Sequence, residues 1–158
     1  TLDRSSAASD VYKRQAPAAV SEKVAPRGTE RVLVVDDEPM VRKLTERMLR
    51  RLGYHVAAAS DGEDALRTFE RDPDAFDLVV MDVVMPRLGG PEAFARMRAL
   101  RPRLKALFVS GYAGEATGLS AMLLEPGLLL LQKPFTPQQL AEEVRHVLDT
   151  VVVDKDRG

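Results

Sequence analysis

From Arg31 onward the chain switches between two hydrophobic rhythms. Short aliphatic runs ("RVLVV", "YHVAAA", "DLVVMD", "KALFVS", "LLLLQ") are separated by longer stretches in which apolar residues return every three or four positions. The runs predict buried strands and the periodic stretches predict helices. In "EPMVRKLTERMLRRLG", Val41, Leu44, Met48 and Leu52 fall at helical spacing, with Pro39 suited to the first turn and Gly53 to the stop. "SDGEDALRTFERD" predicts a second helix capped by Ser60 or Asp61. "GGPEAFARMRALR" predicts a third, with Pro91 in its first turn and Phe94, Met97 and Leu100 facing inward. "AGEATGLSAMLLEPG" predicts a weak helix, because Gly114 and Gly118 cost it stability. "TPQQLAEEVRHVLDTV" predicts the last helix, with Thr136 and Gln139 spaced as a capping box.

Strands alternating with helices imply right-handed crossovers and a parallel sheet covered on both faces. About five such units predict an α/β domain of three layers over residues 31–150. Residues 1–30 show neither rhythm and are rich in Ala, Ser, Pro and charge, which predicts a disordered leader or linker. Within it, "SSAASDVYKRQ" resembles translated sequencing-adapter read-through, which would make residues 1–15 non-biological. Residues 151–158, "VVVDKDRG", form a tail too short for a second domain.

Composition acts mainly by exclusion. A formal net charge of -1 gives no general basic field for nucleic acid, and no helix-turn-helix pattern follows the last unit. The lack of cysteine excludes disulfides and thiolate zinc sites and fits a reducing cytoplasm, the expected location. No apolar run approaches the ~20 residues needed to span a bilayer, so no membrane contact is expected of these residues. His55 and His146 are isolated and read as structural or surface residues, and Met81 and Met85 as packing.

The polar residues at the ends of the apolar runs carry the chemistry. The first run leads into Asp36, Asp37 and Glu38, the third into Asp82, the fourth into Ser110 and the fifth into Lys133. Ligands of open parallel sheets bind outside the carboxyl ends of the strands, so these groups are expected on one rim. Each alone has a plain explanation: an acidic residue after a strand often caps the next helix, and a Lys before Pro is a common turn residue. Asp82 is harder to explain so, because a charge in an apolar run costs several kcal/mol unless it is compensated. Clustered carboxylates repel, and an all-oxygen set without Cys or a nearby His favours a hard cation, Mg²⁺ above all. With such an ion and Lys133 as balancing charges, Asp82 can act as a nucleophile toward phosphorus, and Ser110 can donate to a phosphoryl oxygen.

The blocks "VLVVDDEP", "DLVVMDVVMPRLGG", "LFVSGYA" and "LQKPF", in this order, resemble the receiver domain of two-component response regulators, from Arg31 to about Thr150. The resemblance implies a doubly wound, flavodoxin-like parallel sheet of order 2-1-3-4-5. It implies Asp36 and Asp37 as the acidic pair at a Mg²⁺ ion, Asp82 as phosphoacceptor, and the backbone carbonyl of Val84 as a further metal ligand. Ser110 resembles the switch hydroxyl and Lys133 the family's lysine, with a cis Lys133–Pro134 bond. The phosphodonor would be a histidine kinase or a phosphotransfer domain, and a homodimer through the last helices is left open. The Pro/Ala segment before the first strand, together with "SGYA" and "LQKPF", is most like the C-terminal receiver of hybrid sensor histidine kinases, with a stand-alone regulator as the alternative.

Two positions depart from the family pattern. Leu130 stands where many receivers carry an aromatic that swings with the switch hydroxyl. Val84, two after the phosphoacceptor, is apolar and cannot orient an attacking water, so slow self-dephosphorylation is expected. The same Val84 argues against a phosphohydrolase with an aspartyl intermediate, which would place a second Asp there, and the intact Asp37, Asp82 and Lys133 argue against a receiver that binds partners without phosphorylation.

Overall fold

The computed structural model describes residues 24–111 and 119–153. Five strands form one parallel sheet: β1 (Arg31–Val35), β2 (His55–Ala59), β3 (Leu78–Asp82), β4 (Lys105–Ser110) and β5 (Leu128–Gln132), in the order β2-β1-β3-β4-β5. Four α-helices lie among the described residues: α1 (Pro39–Arg51), α2 (Gly62–Arg71), α3 (Gly90–Leu100) and α4 (Pro137–Asp149).

The alternation of side chains along each strand divides the core in two. Leu33, Val35, Val79, Met81, Ala106 and Phe108 point to one face and are covered by Ala65 and Phe69 of α2 and Ala93, Phe94 and Met97 of α3. Phe94 meets Phe108 edge-on, with centroids 5.5 Å apart. Val32, Val34, Leu78, Val80, Leu107 and Val109 point to the other face, against Leu49 of α1 and Leu140, Val144 and Val147 of α4. This is the predicted three-layer arrangement.

The helices begin and end on recognisable chemistry. Pro39 and Pro91 occupy first turns, and Asp61 caps α2 by accepting from the Asp64 amide. Thr136 and Gln139 form the reciprocal capping box of α4. Thr136→Ala removes an acceptor for an otherwise unsatisfied helix amide. It is expected to cost about 1 kcal/mol, measured as a lower urea midpoint with an unchanged slope.

Two inward assignments and one predicted helix change. The buried line of α1 runs through Thr45 and Leu49, with Val41, Met48 and Leu52 only partly covered and Leu44 exposed. Leu44 lies five residues before Leu49, about 140° around the helix, and so points away from the sheet. Leu100, the last residue of α3, is also exposed; Ala93 takes the inward place beside Phe94 and Met97. Of the weak helix predicted over 113–127, residues 113–118 lie outside the described residues. Among the described remainder, Met122–Leu124 form a 3₁₀ turn, which ends there because Pro126 forces Glu125 extended and Gly127 turns at φ +86°.

The segment entering β1 is strapped to the domain. Gly28 N donates to Leu52 O at 3.1 Å, and the Arg145 guanidinium of α4 binds Arg27 O, both carboxylate oxygens of Glu30, Asp149 and the Tyr54 hydroxyl. The Arg145 hydrogen bonds hold the Glu30 carboxyl below its ordinary pKa. A Cβ at Gly28 would overlap the ring of the buried Tyr54, so any larger residue must push the strap or that ring aside. Residues 27–30, grouped with the disordered leader by composition, therefore make defined contacts. Of the rest of the predicted leader, residues 1–23 lie outside the described residues.

Candidate functional site

Sheet register brings the polar residues together. Val35 pairs with Met81, which puts Asp36, the next residue, beside Asp82 on the central strand. Asp82 pairs with Val109, and Ser110 with Gln132, so Lys133 follows directly. Asp36, Asp37, Asp82, Ser110 and Lys133 all lie at or just past the carboxyl ends of their strands, on one end of the sheet.

Side chains of Asp36, Asp37 and Asp82 each offer a carboxylate oxygen, and these atoms lie within 4.8 Å of one another. Asp36 and Asp82 are buried and Asp37 is exposed. Asp36 is held at both oxygens: Oδ1 accepts from Glu38 N at 2.9 Å and Oδ2 faces Lys133 Nζ at 3.4 Å. Lys133 Nζ stands equally 3.4 Å from Asp82 Oδ2, so one ammonium bridges the two buried carboxylates. The Lys133 N–H donates to Ser110 O at 2.7 Å, which ties the lysine to the end of β4. Ser110 itself is fully buried. The Lys133–Pro134 peptide is cis. Glu38 starts α1 without a side-chain cap and is not part of the carboxylate cluster.

Burial is the main force on Asp82. It raises the carboxyl pKa from 3.8 to about 6 against the attraction of Lys133, and Asp36 and Asp37 push the same way. Burial also works against the Lys133 ammonium, but Asp82 and Asp36 outweigh it and hold its pKa above the ordinary value. The two buried carboxylates thus share the Lys133 ammonium, with Asp37 beside them. A donor set made only of oxygen, with net negative charge and one ligand open to solvent, fits a small hard cation such as Mg²⁺. Asp36, Asp37 and Asp82 would hold it, and it would supply charge neutralisation for an anionic phosphoryl group.

Val84, two residues past Asp82, is 57% exposed at the mouth of the rim. Leu130 is half-buried on β5. The pattern of strand ends did not reveal Gly90. Its Cα packs directly on the Asp82 carbonyl, leaving no space for a Cβ, and its N–H donates to Val83 O at 3.0 Å. The available signal was the pair Gly89–Gly90 where a helix start usually carries Ser, Thr or Asp.

Among the described residues, no helix is long and apolar enough to cross a membrane. Residues 32–145 match the family model described as "Response regulator receiver domain". The sensor kinase CckA of Brucella abortus is 37% identical over 139 residues, a match covering 85% of this chain and 15% of that kinase. The response regulator receiver protein CpdR of the same organism is 29% identical, covering 75% of this chain and 97% of its own length. The crystal structure of the response regulator TrrA from Thermotoga maritima in complex with Mg²⁺ and BeF superposes with a TM-score of 0.66 at 31% identity, covering 75% of this chain and 99% of that one. On this match, its strand order and its acidic rim, the chain belongs to the response regulator receiver domain family of two-component signalling.

Proposed function

We propose that this receiver accepts a phosphoryl group on Asp82, with Mg²⁺ bound by Asp36, Asp37, Asp82 and the Val84 carbonyl. The observation that carries the reading is the convergence of three carboxylates with Lys133 between the two buried ones. A phosphohistidine of a histidine kinase or phosphotransfer domain is the donor. An Asp82 oxygen attacks phosphorus, the P–N bond breaks, and its electron pair returns to the imidazole nitrogen, which takes up a proton. Lys133 holds an Asp82 oxygen and offsets the new negative charge, and the Ser110 hydroxyl donates to a phosphoryl oxygen. The domain is a signalling module: the added charge biases the region around Ser110 toward a second arrangement. Because Leu130 lacks a ring, that arrangement involves no aromatic rotamer at this position. The donor meets the face of α1 beside the rim, where exposed Met40 and Leu44 lie with Lys43 and Arg47.

The test is incubation with acetyl phosphate and Mg²⁺, followed by intact-mass and peptide mass spectrometry. One added phosphoryl group on Asp82 supports the reading; an unchanged mass, or the label on another residue, overturns it. The lifetime of that phosphoryl group gives a second expectation. Val84 offers no polar group to a water, so decay should be slow, and Val84→Asn should accelerate it about tenfold, equivalent to ~1.4 kcal/mol of transition-state orientation. An equal decay rate in the two proteins would remove Val84 from the explanation.

We read the chain as the C-terminal receiver of a hybrid histidine kinase, on the Ala/Pro-rich segment ahead of β1 and the similarity to CckA. A stand-alone regulator is the second reading, favoured by the match over nearly all of CpdR. Upstream DNA decides: a reading frame running back into a kinase catalytic domain supports the first, an in-frame stop followed by a start codon the second.

A further inference from the structure

The loop of residues 83–89 hangs from the strand that ends in Asp82, and its backbone reverses in a way side chains rarely adopt. Arg87 has φ +67°, and Leu88 N donates to Pro86 O at 2.8 Å across it. A bond between residues two apart around a positive-φ centre is the rarer, strained form of the γ-turn. Glycine adopts it freely; an arginine stays there only if its surroundings hold it.

Those surroundings are the start of α2. Arg87 Nη2 donates to Asp61 Oδ2 at 2.7 Å, and its Nε lies 3.8 Å from Glu63 Oε2. Asp61 is well placed to hold it, with its side chain only 13% exposed and its other oxygen fixed by the Asp64 amide at 2.8 Å. One residue on, Gly62 packs so closely on the Leu88 carbonyl that no Cβ fits, and Leu88 is buried. The loop is therefore gripped at two successive residues by the cap and the first residue of α2. It is tied at its root as well, where Val83 N donates to Val109 O at 2.9 Å and Gly90 N to Val83 O at 3.0 Å. Val84 lies between these fixed points.

We propose that Arg87 and Asp61 are positioning residues for the metal site: their ion pair holds the strained turn, and the turn fixes the direction in which Val84 presents its backbone carbonyl. This rests on the reading of the acidic rim as a Mg²⁺ site. The bland alternative is a surface ion pair that contributes little to anything, and the two make different predictions for Mg²⁺ affinity.

The experiment measures the Mg²⁺ dissociation constant of the full chain by titration calorimetry, with hydrogen exchange of the Leu88 and Gly90 amides as an independent readout. Arg87→Ala removes the guanidinium, and Asp61→Asn keeps a helix cap while removing the charge. Both are expected to weaken Mg²⁺ by about tenfold, the low end for groups that orient metal ligands, and to speed exchange in the loop. Arg87→Lys should recover part of the affinity. Phosphoryl uptake from acetyl phosphate should fall at low Mg²⁺ and return to the parent rate at saturating Mg²⁺, a split that general destabilisation would not produce. Parent-like Mg²⁺ affinity in both Arg87→Ala and Asp61→Asn overturns the inference and leaves the metal site standing. Absence of Mg²⁺ binding in the parent itself removes the site, and the inference with it.

Discussion

Asp82→Asn is expected to abolish phosphorylation and, in metal-free buffer near neutral pH, to melt at a higher temperature than the parent. The loss follows because an amide oxygen is a poor nucleophile and no other carboxylate takes the same place at the end of the central strand. The gain follows from electrostatics. The folded-state pKa of Asp82, about 6, stands above the ordinary 3.8, so the native state favours the protonated form. Well below pH 3.8 the group is protonated in both states and has no effect on stability. As pH rises from there toward 6 the unfolded chain loses the proton first, and the folded protein loses stability until its own carboxyl has ionised. At pH 7.5 keeping the charge buried costs on the order of a few kcal/mol. Asparagine removes most of that cost and leaves Lys133 paired with Asp36. Thermal melts in EDTA should therefore show the two proteins close together near pH 4 and diverging by a few degrees at pH 7.5. Mg²⁺ should raise the parent's midpoint and leave that of Asp82→Asn nearly unmoved. A variant no more stable than the parent at pH 7.5 without metal would mean that burial does not strain this carboxylate.

Gly90→Ala should cause the largest loss of stability among single methyl additions near the rim. The new Cβ would sit far inside contact distance of the Asp82 carbonyl oxygen and only 3.3 Å from Met81 Cγ. A carbonyl in the middle of a five-stranded sheet has little freedom to move, so the helix start must shift instead. Overpacking of this kind costs about 3 kcal/mol where backbone meets backbone. The displacement falls on the residue that carries the proposed nucleophile, so phosphoryl uptake should drop together with the urea midpoint. A midpoint within experimental error of the parent's would show that the close approach is not there in solution.

The sequence made some parts of this molecule plain and hid others for physical reasons. Strands β1 and β4 run over the residues their aliphatic runs marked, because a central parallel strand has no solvent face to dilute its hydrophobicity, and β5, at the edge of the sheet, follows its run as well. The rim was legible too. Asp82 interrupts an apolar run, and a cost of that size has few explanations. Leu44 and Leu100 were misplaced because apolar residues at helical spacing define a stripe only to within its width, and each lay just outside it. Arg87 left no pattern to find, and Gly90 only the Gly89–Gly90 pair at a helix start. Their importance lies in a positive φ and in a backbone-to-backbone approach, and neither leaves a mark in hydrophobicity or charge.

The strap at Gly28 has a practical corollary for anyone who tethers this protein. Residues 27–30 are pinned beside Leu52, Tyr54 and Arg145, where β1 begins, whereas the carboxylates stand where β1 and β3 end. Five strand residues at ~3.3 Å each put about 16 Å of sheet between the two poles. A bead, dye or fluorescent fusion joined directly at Arg27 is thus anchored at the far side, and immobilisation through that point leaves the acidic mouth at the opposite pole.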